Sequence, residues 1–155
     1  MMKAASILDE LHCPFIINQN RYSIFDRTIE RNGLKDAAVA NGRGIIAFSP
    51  LAQGLLTDRY LHGIPEDSRI CTDGRFLKGS ALTPERLAQI CALNDLATRR
   101  GESLAAMALR WILRDGAVTS VLVGASRPEQ LLDDLNVLQS PPLTQEELAF
   151  IDANS

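Results

Sequence analysis

The sequence predicts an α/β fold: a short parallel sheet with flanking helices, part of a larger closed barrel. Three observations carry that expectation. Three apolar runs, Phe15-Ile16-Ile17, Ile45-Ile46-Ala47-Phe48 and Val121-Leu122-Val123, show no alternation with polar residues. Strands covered on both faces read this way. Helical patterns separate the runs, and strand-helix alternation implies parallel pairing through right-handed crossovers. A sheet of about three strands is also small for 155 residues, and its two open edges are normally covered or closed.

The elements follow in order. Ala4 to Leu11 reads as a helix end leading into the first run. Leu34 to Ala40 is a short helix, with Gly33 before it and Asn41-Gly42 as its stop. Thr83 caps a helix that Pro84 opens, and this helix runs to about Arg100 and stops at Gly101. Leu104, Met107, Ala108, Trp111 and Ile112 recur at the spacing of a core-facing helical stripe. Ser126 to Leu138 is a further helix, with Leu131, Leu135 and Leu138 on one side. Thr144 with Glu147 forms a capping box for a last short helix. The Gly-, Asp-, Arg- and Ser-rich stretch from Leu51 to Leu82 is long for a connection and reads as a lid or binding loop.

Composition narrows the function. The formal net charge is -3 and no long Lys/Arg run occurs, which argues against nucleic acid as a partner. No apolar run approaches the roughly 20 residues needed to cross a bilayer. Met1 to Leu11 lacks the apolar core of a signal peptide, so a cytoplasmic location is expected. Cys13, Cys71 and Cys91 are widely spaced and read as free thiols, and with His12 and His62 they form no zinc-ligand pattern.

Barrels of this type collect function just past the C-terminal strand ends. That rule selects Asn18 to Ser23, Ser49 to Gly54 and Gly124 to Gln130. In the third segment Gly124 allows a tight turn and Ser126 opens a helix, whose free N–H groups and positive dipole end make an anion site. Arg127 adds a guanidinium suited to a phosphate monoester such as the 2′-phosphate of NADP. Ser126 with Glu129 also reads as a plain capping box, and both readings can hold together. Spacing alone favours an ordinary strand-to-loop turn for Ser49 to Gly54; Phe48 reads as core or as an aromatic platform, and Gln19 as a ligand contact or a local backbone partner.

The stretches Phe15 to Arg27 (FIINQNRYSIFDR), Ile45 to Leu56 (IIAFSPLAQGLL) and Val121 to Leu132 (VLVGASRPEQLL) together resemble the aldo-keto reductase family. The nearest branch is that of bacterial glyceraldehyde 3-phosphate or methylglyoxal reductases and potassium channel β subunits. The resemblance implies the C-terminal part of a (β/α)8 TIM barrel, with residues 1–155 as one incomplete domain lacking the first half of the barrel. It implies NADP(H)-dependent reduction of aldehydes and ketones. Gln19 would hold the nicotinamide carboxamide and Phe48 would stack on its ring. Ser49, Leu51, Gln53 and Gly54 would line the pyrophosphate. Gly124 belongs to the last cofactor loop, and Ser126, Arg127 and Gln130 would meet the adenosine phosphate end. Relatives often carry Glu-Asn at the adenine end, where this chain has Asp133-Asp134; Asp134 is the candidate contact there.

Hydride transfer to a carbonyl needs a proton donor near its oxygen. The resemblance implies a Tyr acid, a Lys paired with an Asp, and a His, all on the first four strands. Tyr22, Tyr60, Lys3, Lys35 and Lys78 match none of those motifs, so no catalytic residue is assigned. Tyr22 is expected to pack or to support the cofactor side. A non-catalytic NADP(H)-binding or interaction module and an inactive truncated reductase remain alternatives. The expected partners are a small carbonyl substrate in an intact parent, and a second copy or a complementing barrel half across the open edges.

Overall fold

A computed structural model describes residues 2–61, 63–65, 71 and 79–155. His62, Lys78 and most of 66–78 in the long loop lie outside the described residues. The chain runs α1 (Met2–Glu10), β1 (Ile17–Arg21), α2 (Thr28–Arg31), α3 (Leu34–Ala40), β2 (Gly44–Phe48), α4 (Pro84–Arg100), α5 (Leu104–Leu113), β3 (Ser120–Val121), α6 (Pro128–Asn136) and α7 (Gln145–Ala153). Single 3₁₀ turns occur at Ala52–Gly54, Asp58–Tyr60 and Gly79–Ala81.

The three strands form one parallel sheet in the order β1-β2-β3. Ile17 pairs with Gly44 and Arg21 with Phe48, while Ala47 pairs with Val121. Gly44 is required at the start of β2: a Cβ there would lie 2.8 Å from Thr119 Oγ1 and 3.0 Å from Ile17 Cγ1.

One face of the sheet carries the core. Ile45 and Ala47 of β2 are fully buried, packed with Leu93, Leu104, Met107, Ala108 and Ile112 from α4 and α5. The helix signals form as their sequences dictate. The Thr83 hydroxyl accepts from the Arg86 amide at 3.2 Å, and Gly101 closes α4 at φ 74°. Thr144 and Glu147 make the reciprocal capping box of α7.

Four expectations are corrected. β1 begins at Ile17 and contains Asn18, Gln19 and Asn20, which were expected beyond its tip. Phe15 and Ile16 are the lead-in, where the Arg43 guanidinium donates to the Phe15 carbonyl at 3.0 Å. Backbone pairing with β2 sets the strand, and the apolar run does not. The sheet is also not covered on both faces: β1 alternates exposed and half-buried residues, and Ile16 is 72% exposed. These three strands alone do not fill the inner side of a barrel. β3 is Ser120–Val121 rather than 121–123, although the Leu122 amide still donates to the Ala47 carbonyl at 2.8 Å. Finally, α6 starts at Pro128 and buries none of its residues; Leu131, Leu135 and Leu138 line a face that no described element covers.

A charged cluster sits behind β1. Tyr22 is fully buried with its ring centroid 5.2 Å from that of Trp111, and Arg114 lies over the indole at 3.9 Å. Glu30 accepts hydrogen bonds from the Tyr22 hydroxyl, from Arg27 at 2.5 Å and from Arg114 at 2.8 Å. Burial alone would raise the Glu30 carboxyl, but these bonds outweigh it and hold the group at about 2. Burial pushes the Tyr22 phenol up, and its bond to Glu30 adds to this. Lys35, only 8% exposed, is paired with Asp115. Tyr22 is thus a packing residue, one of the two roles expected for it.

Candidate cofactor site

Parallel pairing brings the three strand tips to one level, because Arg21 faces Phe48 and Val121 lies beside Ala47. Paired residues of adjacent strands project to the same side. Gln19 pairs with Ile46, two residues before Phe48. Gln19 and Phe48 therefore share the sheet face opposite Ile45 and Ala47. Gln19 is exposed and Phe48 is half-buried, so an amide and an aromatic ring stand on one open surface.

Just past β2 the backbone bends through conformations that L residues seldom adopt. Ser49, Ala52 and Gln53 have φ of 52°, 48° and 62°, and Gly54 follows at 96°. Side-chain-bearing residues in this region are held by their surroundings. Here Gln53 Nε2 donates to Ser49 Oγ at 2.8 Å, and the Gly54 and Leu56 amides both donate to the Leu51 carbonyl, at 2.9 and 3.1 Å. Beneath the turn, Leu55 and Leu56 are buried. Ser49, Leu51, Gln53 and Gly54 stay half-buried at the surface. No residue-type signal reveals the positive φ values at Ser49, Ala52 and Gln53.

The loop after β3 differs from expectation in detail. Gly124 adopts no positive φ, and a Cβ there would meet nothing within 4 Å, so the turn does not depend on glycine. Arg127, not Ser126, is the N-cap of α6, with no side-chain cap. The Ser126–Glu129 capping box is absent. Instead the Ser126 amide and hydroxyl both donate to Gln130 Oε1, at 2.9 and 3.0 Å. Gln130 sits at the third helical position, whose side chain reaches back easily across the helix start. The helix therefore opens at Pro128, which has no N–H to offer. Ser126, Arg127 and Gln130 are all exposed, and the Arg127 guanidinium has no protein partner among the described residues. Farther along α6, Ser103 Oγ donates to Asp133 at 2.9 Å. Asp134 is half-buried, and burial together with the neighbouring Asp133 charge raises its carboxyl.

Neither tyrosine is free at the tips. Tyr60 is buried at 1% exposure, and the Tyr22 hydroxyl is held by Glu30 and Arg114. Among the described residues, no group of three or more His, Cys, Asp and Glu gathers to hold a metal. No described helix is long and apolar enough to cross a membrane.

A parallel α/β sheet with its polar groups gathered at the C-terminal strand ends is the arrangement of a barrel enzyme. The chain belongs to the aldo/keto reductase family, whose model matches residues 1–155. It is 47% identical over 153 residues to L-glyceraldehyde 3-phosphate reductase of Escherichia coli O157:H7, covering 97% of this chain and 44% of that protein. A Schizosaccharomyces pombe protein, provisionally named a voltage-gated potassium channel subunit beta, is 33% identical over 141 residues, covering 88% of this chain and 41% of that protein. Among solved structures, glycerol dehydrogenase of Gluconobacter oxydans superposes with a TM-score of 0.78 at 28% identity, covering 98% of this chain and 45% of that one. The chain thus spans under half the length of these relatives, and its fold is a three-stranded portion of their TIM barrel.

Proposed function

We propose that this chain is the cofactor-holding part of an NADP(H)-dependent reductase of aldehydes and ketones. The observation that carries the reading is the turn after β2. Three side-chain-bearing positive-φ residues within five positions, Ser49, Ala52 and Gln53, are held there beside the exposed sheet face. Such backbone outliers cluster at ligand clamps.

The residues present fit a dinucleotide. Phe48 offers an aromatic face and Gln19 an amide on the same surface, suited to a nicotinamide ring and its carboxamide. Ser49, Leu51, Gln53 and Gly54 would line the pyrophosphate. Ser126 and Gln130 would meet the adenosine end, and Arg127 would bind its phosphate, being a guanidinium with no protein partner. Gly124 supplies an unobstructed approach, since nothing lies within 4 Å of its would-be Cβ. Asp134 would stand at the adenine end as a poor contact, because burial, with the Asp133 charge adding to it, already raises its carboxyl. When bound, the cofactor supplies a hydride. The chain's own residues orient the ring, keep water from one face of it and neutralise its phosphate. A proton for the carbonyl oxygen must come from another strand, since Tyr22 and Tyr60 are buried and the Tyr22 hydroxyl is held by Glu30 and Arg114.

The open edges of β1 and β3, with Ile16, Leu122 and Val123 exposed, support a complementing barrel half or a second copy as partner. We place the working protein in the cytoplasm, with residues 1–155 forming one incomplete domain and no nucleic-acid or membrane role. Two assays on the purified chain test the reading: NADPH binding, and NADPH oxidation with glyceraldehyde 3-phosphate or methylglyoxal. Binding without turnover is expected. Turnover by the chain alone would overturn the absence of a proton donor. Neither binding nor turnover, from a chain complemented by the remaining barrel strands, would remove the reductase reading.

A further inference from the structure

At the opposite end of the strands, where α5 descends toward the start of β3, a cavity of about 460 Å³ opens between α5, the segment after α6 and α7. Its walls are about equally polar and apolar, with Leu113, Val137, Leu143 and Leu148 forming the apolar side. Arg110, Arg114 and Asp115 also line it. Two of these charges are already matched: Arg114 binds Glu30 at 2.8 Å, and Asp115 is paired with Lys35.

Arg110 is not matched. Its Nε and Nη2 are sealed from solvent without a hydrogen-bond partner, and it forms no ion pair among the described residues. Of the acids near it, Glu147 and one oxygen of Glu102 are taken by Arg100, while Glu102 Oε2 is itself buried without a partner and does not reach Arg110. Burial accordingly lowers the Arg110 guanidinium, with the Glu102 charge only partly offsetting this. Sealing two guanidinium nitrogens of a half-buried arginine without partners is costly. Nη1 is not among the sealed atoms, and Arg110 lines the cavity.

We infer that this cavity binds a small amphipathic monoanion, a medium-chain carboxylate, with its head at Arg110 and its tail against Val137, Leu143 and Leu148. The volume lies within the range of small-molecule sites. A guanidinium suits a carboxylate head. One uncommitted cation, with the Asp115 carboxylate on the same wall, disfavours a dianion such as a phosphate monoester. The site lies away from the strand tips, so it stands or falls apart from the cofactor reading.

The test is calorimetric titration of the full chain with sodium octanoate, 1-octanol and inorganic phosphate. Octanoate is expected to bind saturably, one per chain, at least tenfold more tightly than octanol, and phosphate not at all. Arg110→Met should weaken octanoate at least tenfold without changing octanol, while Arg110→Lys should stay within about threefold of the parent. The Met variant removes a half-buried charge with two unpaired nitrogens, so its unfolding temperature should not fall, and its NADPH binding should match the parent's. Octanoate affinity that is equal in the parent and Arg110→Met, or no greater than that of octanol, would mean adsorption on apolar surface and would overturn the site. Preferential phosphate binding, or no saturable octanoate binding, would overturn it too.

Discussion

Gln53 reaches back across the turn after β2 and donates to the Ser49 hydroxyl at 2.8 Å, and both residues hold positive φ, at 62° and 52°. The bond joins the two ends of the strained segment that follows Phe48. Strain of about 1–3 kcal/mol per residue persists only where neighbours enforce it. Gln53→Ala removes that tie, so the turn is expected to relax. NADPH affinity should fall about tenfold while the unfolding temperature moves by a few degrees at most. A fluorescence titration paired with a thermal melt checks both. Unchanged affinity would mean the turn is not part of the cofactor site.

Glu30 gives the fold an acid-sensitive centre. Its carboxyl falls from an ordinary 4.5 to about 2, because the bonds from Tyr22, Arg27 and Arg114 outweigh burial. The unfolded chain therefore takes up this proton first as pH drops. The stabilisation is fully present above about 4.5 and is lost as pH falls toward 2. At about 1.4 kcal/mol per pH unit it amounts to at most about 3 kcal/mol. Urea unfolding at several pH values should show this loss, and Glu30→Gln should flatten the slope between pH 4.5 and 2. A parent-like slope in Glu30→Gln would assign the acid sensitivity elsewhere.

Trp111 anchors the same region. It is fully buried, with Tyr22, Arg27 and Arg114 against its ring. Trp111→Ala should cost about 3–5 kcal/mol, a large share of the roughly 5–15 kcal/mol that keeps an ordinary domain folded. Trp111→Phe keeps a ring for the cations and drops an indole N–H that has no acceptor, so it should cost much less. Equal losses in the two variants would contradict this packing role.

The fold was legible in the sequence where local chemistry decides it. Thr83, Gly101, Thr144 and Glu147 cap their helices as their residue types require. The buried positions of α5, Leu104, Met107, Ala108, Trp111 and Ile112, follow the helical spacing. Strand limits were less legible, because pairing with Gly44–Phe48 draws polar Asn18, Gln19 and Asn20 into β1. The resemblance named Gln19, Phe48 and Arg127 as cofactor contacts; the structure puts Gln19 and Phe48 on one sheet face and leaves Arg127 exposed. What escaped was non-local. The strained φ values at Ser49, Ala52 and Gln53 are imposed by the surrounding turn. Glu30 draws part of its character from Arg114, far away in sequence, and Arg110 from its burial in the fold.

The apolar face of α6 has a direct consequence in solution. Leu131, Leu132, Leu135 and Leu138 are 45%, 63%, 53% and 74% exposed, and Leu122 of the preceding segment adds to them. Contiguous exposed apolar surface favours association. Light scattering after size exclusion is expected to show self-association of the chain. Leu132→Lys with Leu138→Lys should reduce it without lowering the unfolding temperature, because neither side chain is buried. A monodisperse parent monomer that unfolds cooperatively would contradict the expectation.

The central claim is that these three strand tips hold a phosphorylated nicotinamide cofactor. Its most direct test is titration of the purified chain with NADPH, followed by cofactor fluorescence, beside the Arg127→Ala variant. Arg127 is exposed and has no protein partner among the described residues, so its removal should leave the fold intact. Saturable binding is expected, weakened about tenfold or more in Arg127→Ala, with NADH binding little changed by the substitution. Binding that is identical in the two proteins, or absent at millimolar NADPH, would contradict the claim for this chain.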